Sequence, residues 1–360
     1  MNHDDRGANL RWACLATGGI AANFATSIAH ANGAELTAVV SRSRSSAEAF
    51  ATRFAVPHAS DDLLQTLARD DVDALYVATP SAHHTAPVRE ALEAGVPVLC
   101  EKPLAMTSTE TEALSCLAHE RNTFLMEAMW MRYLPAFRAA RALVESGRIG
   151  QVRRMCAEFA IDAPFDPGHR LYARELGGGA LHDLGVYVIN AALAFMGTPD
   201  EIVATWEPAP TGVDGSADLE FRYRDGRVAH LTCAFTHAGA NLCIVEGETG
   251  SLVLQPPFFA AQGFWTTASP KLHVPFGFAN GGAPAKAFRR LAKRLPLPGI
   301  KRHPYPFEPT GLQFEIEAAT AAIRAGLVEE PDMPHERTIE VLRIIETALS
   351  DANRRSEGVR

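Results

Sequence analysis

The feature that most constrains the fold is an apolar run at residues 96–100 that ends abruptly in Glu101-Lys102-Pro103. Such a run is typical of a strand in a parallel sheet, because helices cover both faces of that kind of sheet. The charged residues then lie at the carboxyl end of the strand, which is the edge where open α/β sheets bind ligands. Pro103 restricts Lys102 to an extended conformation and so gives the ammonium group a defined direction. Taken alone, the pattern favours a solvated Glu-Lys pair after a strand.

A strand–turn–helix pattern near the start of the chain indicates a dinucleotide site. Residues 11–17 are predicted to form a strand and residues 20–30 a helix. Aligned with the fingerprint G-x-G-x-x-G/A, Ala16 replaces the first glycine, Gly18 keeps the second, and Ala21 supplies the small third residue. The match to the fingerprint residues is weak, but the order strand, turn, helix favours a dinucleotide site. In such a site the N-terminus of the helix faces the phosphates. The cofactor residues predicted here are Thr17, Gly18, Gly19 and Ile20.

The next predicted strand, residues 35–40, ends in Ser41-Arg42-Ser43-Arg44. An enzyme that prefers NAD usually has an acidic residue here, which accepts a hydrogen bond from the ribose 2′-hydroxyl. Hydroxyl and guanidinium groups instead suit a 2′-phosphate. Ser41 and Arg42 therefore predict NADP(H) as the preferred cofactor, with NAD(H) as the alternative; the competing interpretation is an exposed basic loop.

Strands alternate with helices through the first third of the chain, which predicts a doubly wound parallel sheet, the Rossmann architecture. Its fourth strand, residues 72–78, leads into Thr79-Pro80 and two adjacent histidines, which line the cofactor cleft or face solvent. The further cofactor residues predicted at this edge are Thr79, Pro80, His83, Glu101 and Lys102.

The second half has the pattern of a different domain. Alternating strands from residue 152 to residue 254 predict an open, mainly antiparallel sheet, and residues 265–301 are expected to be irregular. We therefore expect an N-terminal α/β Rossmann domain, residues 1–132, and a C-terminal α+β domain, residues 133–360. The final helices of the chain are expected to pack either within the C-terminal domain or against the N-terminal domain. The basic segment 286–302 is interpreted as a solvated surface.

A second group of chemically active residues follows three glycines, Gly177-Gly178-Gly179. These glycines are expected to let the backbone approach the nicotinamide or the strand that bears Lys102. On the helix predicted at residues 180–196, Asp183 and Tyr187 are spaced i, i+4 and share one face. An acid, a phenol and an ammonium group form a set that can handle protons; the alternative is a local cap and a core tyrosine. Substrate contacts are predicted for Trp130, Arg132 and Arg170, with interdomain packing as the alternative for Trp130.

Composition excludes several classes of function. A net charge of −8 argues against nucleic-acid and anionic-membrane partners. No apolar run approaches the ~20 residues that span a bilayer, and the first residues lack a secretory pattern. Six cysteines without a CxxC motif indicate reduced thiols and a cytoplasmic location.

These motifs fall in one order along nearly the whole chain and resemble the Gfo/Idh/MocA oxidoreductases. The runs at residues 99–103, 126–132 and 178–187 are most similar to the branch of dimeric dihydrodiol dehydrogenases and NADP-dependent D-xylose 1-dehydrogenases. The resemblance implies that Tyr187 removes a proton from a substrate hydroxyl while hydride passes to NADP⁺. It implies that Lys102 stabilises the phenolate and the developing alkoxide, that Asp183 orients the pair, and that no metal takes part.

The expected substrate is a cyclic sugar, a polyol or a trans-dihydrodiol. The alternatives are a glucose–fructose-type oxidoreductase with a tightly held cofactor and a non-catalytic NADP-binding regulator. The family resemblance also implies a homodimer or homotetramer that assembles through the C-terminal sheet.

Overall fold

The computed structural model describes residues 9–269 and 298–350, which form two compact units. The first contains the described residues up to Tyr133 together with Phe307–Leu342. The second contains the described residues of Leu134–Pro306 and those that follow Arg343. The segment after residue 306 thus returns to the first unit, and the described chain enters the second unit again at Arg343.

The first unit is built on a six-stranded parallel sheet with the order β3-β2-β1-β4-β5-β6. This is the doubly wound order predicted from the alternating pattern, and the order reverses between β1 and β4. Its strands are β1 Leu10–Leu15, β2 Ala34–Val40, β3 His58–Ser60, β4 Ala74–Val77, β5 Val98–Glu101 and β6 Leu125–Ala128.

Helices cover this sheet, so β4, β5 and β6 are buried along their whole length and lack polar alternation. The ring of Phe24, a residue of α1, stacks on Tyr76 of β4 with ring centroids 3.8 Å apart. It also meets Trp12 of β1 edge-on, with centroids 6.0 Å apart. The helices of this unit are α1 Gly19–Ile28, α2 Arg44–Phe54, α3 Leu63–Leu67, α4 Thr85–Glu93, α5 Ser108–Arg121, α8 Gln313–Arg324 and the first part of α9 His335–Ala348.

The second unit contains an eight-stranded, mainly antiparallel sheet with the order β14-β13-β12-β11-β7-β10-β9-β8. The β7–β10 pair is parallel, and the other neighbouring strands are antiparallel. Helices α6 Pro135–Glu145 and α7 Val186–Met196 belong to this unit, and α7 packs against β7 and β10. The strands are β7 Val152–Ala160, β8 Glu201–Pro208, β9 Asp214–Arg222, β10 Val228–Ala234, β11 Cys243–Gly247, β12 Ser251–Leu254, β13 Gly263–Thr267 and β14 Ile300–Pro304.

The sequence-based prediction of an irregular stretch at residues 265–301 was wrong at both ends. Strand β13 runs to Thr267, and β14 begins at Ile300 and pairs with it. The pattern missed them because β14 exposes most of its side chains and carries Lys301 and Arg302, so it lacks apolar alternation. The basic residues Lys286, Arg289, Arg290, Lys293 and Arg294 lie outside the described residues.

One helical stretch, Arg174–Met196, is long and apolar enough to cross a membrane by length and composition, contrary to the sequence-based expectation. In the structure 83% of its apolar window is buried within the protein. Burial of this kind is typical of a core helix, which is apolar because protein surrounds it.

Candidate active site

The turn after β1 has the features of a phosphate-binding loop. Gly18 precedes α1 with φ −75°, and its carbonyl accepts a hydrogen bond from the Ala22 N–H at 3.0 Å. A Cβ atom built at Gly18 or Gly19 meets no heavy atom of the described protein within 4 Å. Neither backbone conformation nor packing therefore requires glycine at Gly18, whereas close approach of a pyrophosphate to the backbone does. The residues present fit the diphosphate of a dinucleotide.

Ala16 takes the backbone conformation that the absent first glycine would supply. Its φ is +111°, a region that side chains rarely occupy, and its N–H donates to the Val40 carbonyl at 2.9 Å. A non-glycine residue held there stores about 1–3 kcal/mol of strain. The turn thus keeps its shape despite the substitution because the neighbouring strand β2 holds it.

In the loop after β2, residues 41–44, two residues stabilise α2 and one guanidinium group remains available to a ligand. Ser43 caps α2 by accepting a hydrogen bond from the Ser46 N–H, and Arg44 pairs with Glu48 at 2.9 Å. Arg42 is exposed and forms no ion pair with any residue that the structure describes. Of the two guanidinium groups, Arg42 is therefore the one available to a 2′-phosphate.

At the end of β4, Thr79 and His83 lie on the sheet edge, and the Thr79 hydroxyl donates to the His83 carbonyl at 3.1 Å. The neighbouring His84 is not at the cleft or in solvent, as the sequence suggested, but buried. Its two ring nitrogens lie 2.8 Å from the carbonyls of Pro103 and Thr79. Burial lowers the pKa of His84, and the positive charge of Lys102 adds to that effect. The ring thereby ties the loop after β4 to the loop that carries Lys102.

Two buried carboxylates hold the loop that bears Lys102. Glu101 accepts a hydrogen bond from the Tyr76 hydroxyl at 2.5 Å and from the Lys102 N–H at 3.3 Å. Glu127, from β6, accepts the Leu104 N–H at 3.0 Å. The half-buried Lys102 is thus presented at the carboxyl edge of the sheet by backbone that is anchored on both sides.

Two further buried glutamates, Glu127 and Glu315, lie in the first unit near Glu101. Burial raises the pKa of Glu127 to about 7, although hydrogen bonds and the charge of Lys102 oppose the shift. Glu315 is fully buried, and neither carboxyl oxygen has a hydrogen-bond partner among the described residues. Burial and the nearby Glu101 raise its pKa well above the ordinary value of a glutamate.

In the second unit, the glycines before the tyrosine-bearing helix serve internal packing, which corrects the sequence-based interpretation. A Cβ atom at Gly178 would lie 2.8 Å from the Leu171 carbonyl oxygen. Gly179 has φ +135°, and a Cβ atom there would lie in contact with the carboxylate of Asp214. The close approach is therefore to the protein itself.

Asp214 is a site residue that sequence reasoning missed. Its buried carboxylate accepts the Leu181 N–H at 2.7 Å, at the start of a π-helical turn, Leu181–Gly185, that continues into α7. Burial raises its pKa to about 7, and the backbone hydrogen bonds oppose the shift. Asp214 thereby fixes the first turn of the helix that carries Asp183 and Tyr187. Its sequence signal, an acid before a glycine at the start of a strand, is too common to be informative.

The structure brings together two of the predicted residues of this unit. Arg170 donates to Asp183 at 2.6 Å, with the Asp183 side chain 13% exposed. Tyr187 is 6% exposed and lies beside Phe159 and Phe259, whose ring centroids are 5.4 and 5.6 Å away. Asp183 precedes Tyr187 by one helical turn, and Arg170 contacts Asp183 from the preceding loop. A phenol and a carboxylate are groups that can take part in proton transfer.

Trp130 and Arg132 lie on a short 3₁₀ helix, Trp130–Tyr133, of the first unit. Both are buried, and the Arg132 Nε donates to the Asp332 carbonyl at 3.0 Å. This contact anchors the returning segment after residue 306. A role of either side chain in substrate binding stays a prediction.

Comparison with known proteins gives consistent matches to both halves of the chain. Residues 10–129 match GFO_IDH_MocA, the oxidoreductase family with an NAD-binding Rossmann fold, and residues 137–253 match the GFO/IDH/MocA C-terminal domain. Scyllo-inositol 2-dehydrogenase (NADP(+)) of Bacillus subtilis is 35% identical over 94% of this chain and 96% of its own length. Trans-1,2-dihydrobenzene-1,2-diol dehydrogenase of Mus musculus is 29% identical over the same shares. A 3-ketoreductase of Actinomadura kijaniata, solved with NADP and TDP-benzene, is 27% identical over 96% of this chain and 98% of its own, with a TM-score of 0.77.

Proposed function

The chain belongs to the Gfo/Idh/MocA oxidoreductase family, and from this premise we propose that it is an NADP-dependent dehydrogenase acting on a ring hydroxyl. The substrate class is a cyclic polyol, a sugar or a trans-dihydrodiol, oxidised at a secondary or anomeric carbon. The observation that carries the proposal is the anchored loop of Glu101, Lys102 and Pro103, which presents an ammonium group at the ligand-binding edge of a Rossmann sheet.

The proposed chemistry assigns one task to each catalytic residue. The bound cofactor supplies a hydride acceptor at C4 of its nicotinamide ring. Tyr187 takes the proton of the substrate hydroxyl as general base, and Lys102 stabilises the phenolate and the alkoxide that develops. Asp183, paired with Arg170, holds the polar side of the tyrosine helix in place. In the reverse direction Tyr187 returns the proton.

The preference for NADP(H) rests on the loop after β2. Arg42 is available for ionic contact, and Ser41 adds a hydroxyl beside it, whereas Arg44 already pairs with carboxylates. A 2′-phosphate gains charge-assisted hydrogen bonds from such a pair. The names of the Bacillus relative and of the solved ketoreductase complex include NADP, which supports this choice.

A substrate panel tests the proposal. Purified protein is mixed with NADP⁺ and with scyllo-inositol, other cyclic polyols, aldoses or trans-dihydrodiols, and NADPH absorbance is followed. With the best substrate, Tyr187→Phe should lower kcat by at least ~100-fold while the Kd for NADP(H) stays unchanged. Tyr223→Phe is the matched control, since its hydroxyl donates to the Gly197 carbonyl, just after the last residue of α7. Near-normal turnover of Tyr187→Phe would contradict the assignment.

Two other functions give different results in the same experiment. A glucose–fructose-type oxidoreductase would retain NADP(H) through gel filtration and would turn over without added cofactor. A regulator would bind NADP(H) without turning over any compound of the panel.

We also propose a cytoplasmic location and a homodimer or homotetramer assembled through the second-unit sheet. All six cysteines are free, and four of them are buried, which suits a reducing compartment. Light scattering coupled to gel filtration measures the oligomeric state; a monomer at micromolar concentration would contradict the assembly.

A further inference from the structure

Three potential metal ligands meet in the first unit, away from the cofactor residues. They are His119 of α5, Glu329, and His335 at the start of α9, and one ligand atom of each lies within 4.8 Å of the others. The cluster adjoins Leu125, the first residue of β6, which pairs with Val98 at the amino end of β5. Glu101 and Lys102 follow the opposite end of β5, about 10 Å along the strand.

The ring of His335 is oriented as a metal ligand would be. Its Nε2 lies 2.8 Å from the Leu125 carbonyl, which can only accept, so Nε2 carries the hydrogen. The lone pair is therefore on Nδ1, which lies 3.6 Å from the Glu329 carboxylate and 2.9 Å from the Ser115 hydroxyl. Metal-binding histidines commonly donate their other ring N–H to a backbone carbonyl in this way.

The other two groups complete the set. Glu329 Oε2 accepts the backbone N–H of His335 at 2.7 Å, which places the carboxylate beside the ring. The exposed His119 ring meets the His335 ring edge-on, with centroids 5.5 Å apart. A tetrahedral zinc ion with bonds of about 2.1 Å needs ligand atoms about 3.4 Å apart. The three atoms, which lie within 4.8 Å of one another, therefore have to come closer when zinc binds.

We propose that His119, Glu329 and His335 bind a zinc ion, with water as the fourth ligand. Two imidazoles and one carboxylate favour Zn²⁺ over Mg²⁺ and Ca²⁺, which prefer oxygen ligands. The ion links α5 to the segment that returns after residue 306, and both belong to the first unit. Its effect is therefore on the stability of that unit, since it binds the folded arrangement and not the unfolded chain.

Calorimetric titration of the chelator-treated full chain with ZnCl₂ tests the site, with MgCl₂ as the comparison. We expect one equivalent of Zn²⁺ to bind and to raise Tm by about 5 °C at saturation. His119→Ala and Glu329→Gln should each weaken zinc binding at least ~10-fold. His30→Ala, which removes another exposed histidine of the same unit, should bind zinc as the wild type does.

His119 is exposed, so its replacement tests ligation without disturbing the core. If the wild-type chain binds no zinc, the proposal is wrong. It is also wrong if His119→Ala and Glu329→Gln both bind with unchanged affinity, since zinc then binds elsewhere.

Discussion

Replacement of Asp214 is the sharpest test of how the second unit holds the helix that carries Tyr187. In Asp214→Ala, the buried N–H of Leu181 loses its acceptor. A buried donor without a partner costs about 1–3 kcal/mol, and a lost N-terminal helix contact costs a similar amount. We therefore expect the free energy of unfolding to fall by about 2–4 kcal/mol.

Asp214→Asn separates the hydrogen bond from the charge. The amide oxygen still accepts the Leu181 N–H, but the residue no longer titrates. In the wild type, burial raises the pKa of Asp214 from 3.8 to about 7. A raised folded-state pKa means that the stabilisation is fully present below pH 3.8 and is lost as pH rises towards 7. The rise of this pKa from 3.8 to about 7 corresponds to at most ~4 kcal/mol of folding stability.

The assay is urea unfolding of the wild type and Asp214→Asn at a series of pH values. The stability of the wild type relative to Asp214→Asn should decline by about 2–4 kcal/mol between pH 4 and pH 8. Other buried carboxyl groups, such as Glu127, titrate in both proteins, so their contribution cancels in the difference between the two free energies of unfolding. Asp214→Ala should also lower kcat at least about tenfold without changing the Kd for NADP(H), because the phosphate loop is in the other unit. A pH-independent difference between the wild type and Asp214→Asn would refute the reasoning.

Three further predictions concern the cofactor site. In steady-state kinetics, Arg42→Ala should raise the KM for NADP(H) about 10–100-fold and leave the KM for NAD(H) nearly unchanged. Arg44→Ala is the control. Equal effects of Arg42→Ala on both cofactors would contradict its proposed contact with the 2′-phosphate. Gly18→Ala should weaken NADP(H) binding at least ~10-fold in fluorescence titration, yet leave Tm almost unchanged, because its Cβ meets only open space. Ala16→Gly should raise the free energy of unfolding by about 1 kcal/mol in urea, since glycine relieves the strain at φ +111°; a destabilised variant would show that the strain argument is wrong.

Local patterns were sufficient for much of the fold. Strands alternating with helices predicted the parallel sheet, and the apolar run before Glu101 placed Lys102 at its carboxyl edge, because a strand's direction sets the edge at which it ends. The cofactor roles of Arg42 and Gly18 stay predictions; the sequence could suggest them because the relevant groups lie within a few consecutive residues. Strand β14 was missed because its side chains are mainly polar and exposed, and its pairing with β13 is not a local property.

The supports of the candidate site depend on residues distant in sequence. Asp214 and Leu181 are 33 positions apart, and Tyr76 and Glu101 are 25 apart. Two of the three glycines before α7, Gly178 and Gly179, lie close to other atoms, but these atoms belong to Leu171, Ala173 and Asp214 and not to the strand that bears Lys102. The sequence alone determined which chemical groups the chain carries and the order of its elements. Only the tertiary structure decided which carboxylates are buried and which N–H each accepts, because burial and long-range hydrogen bonds arise when the chain packs.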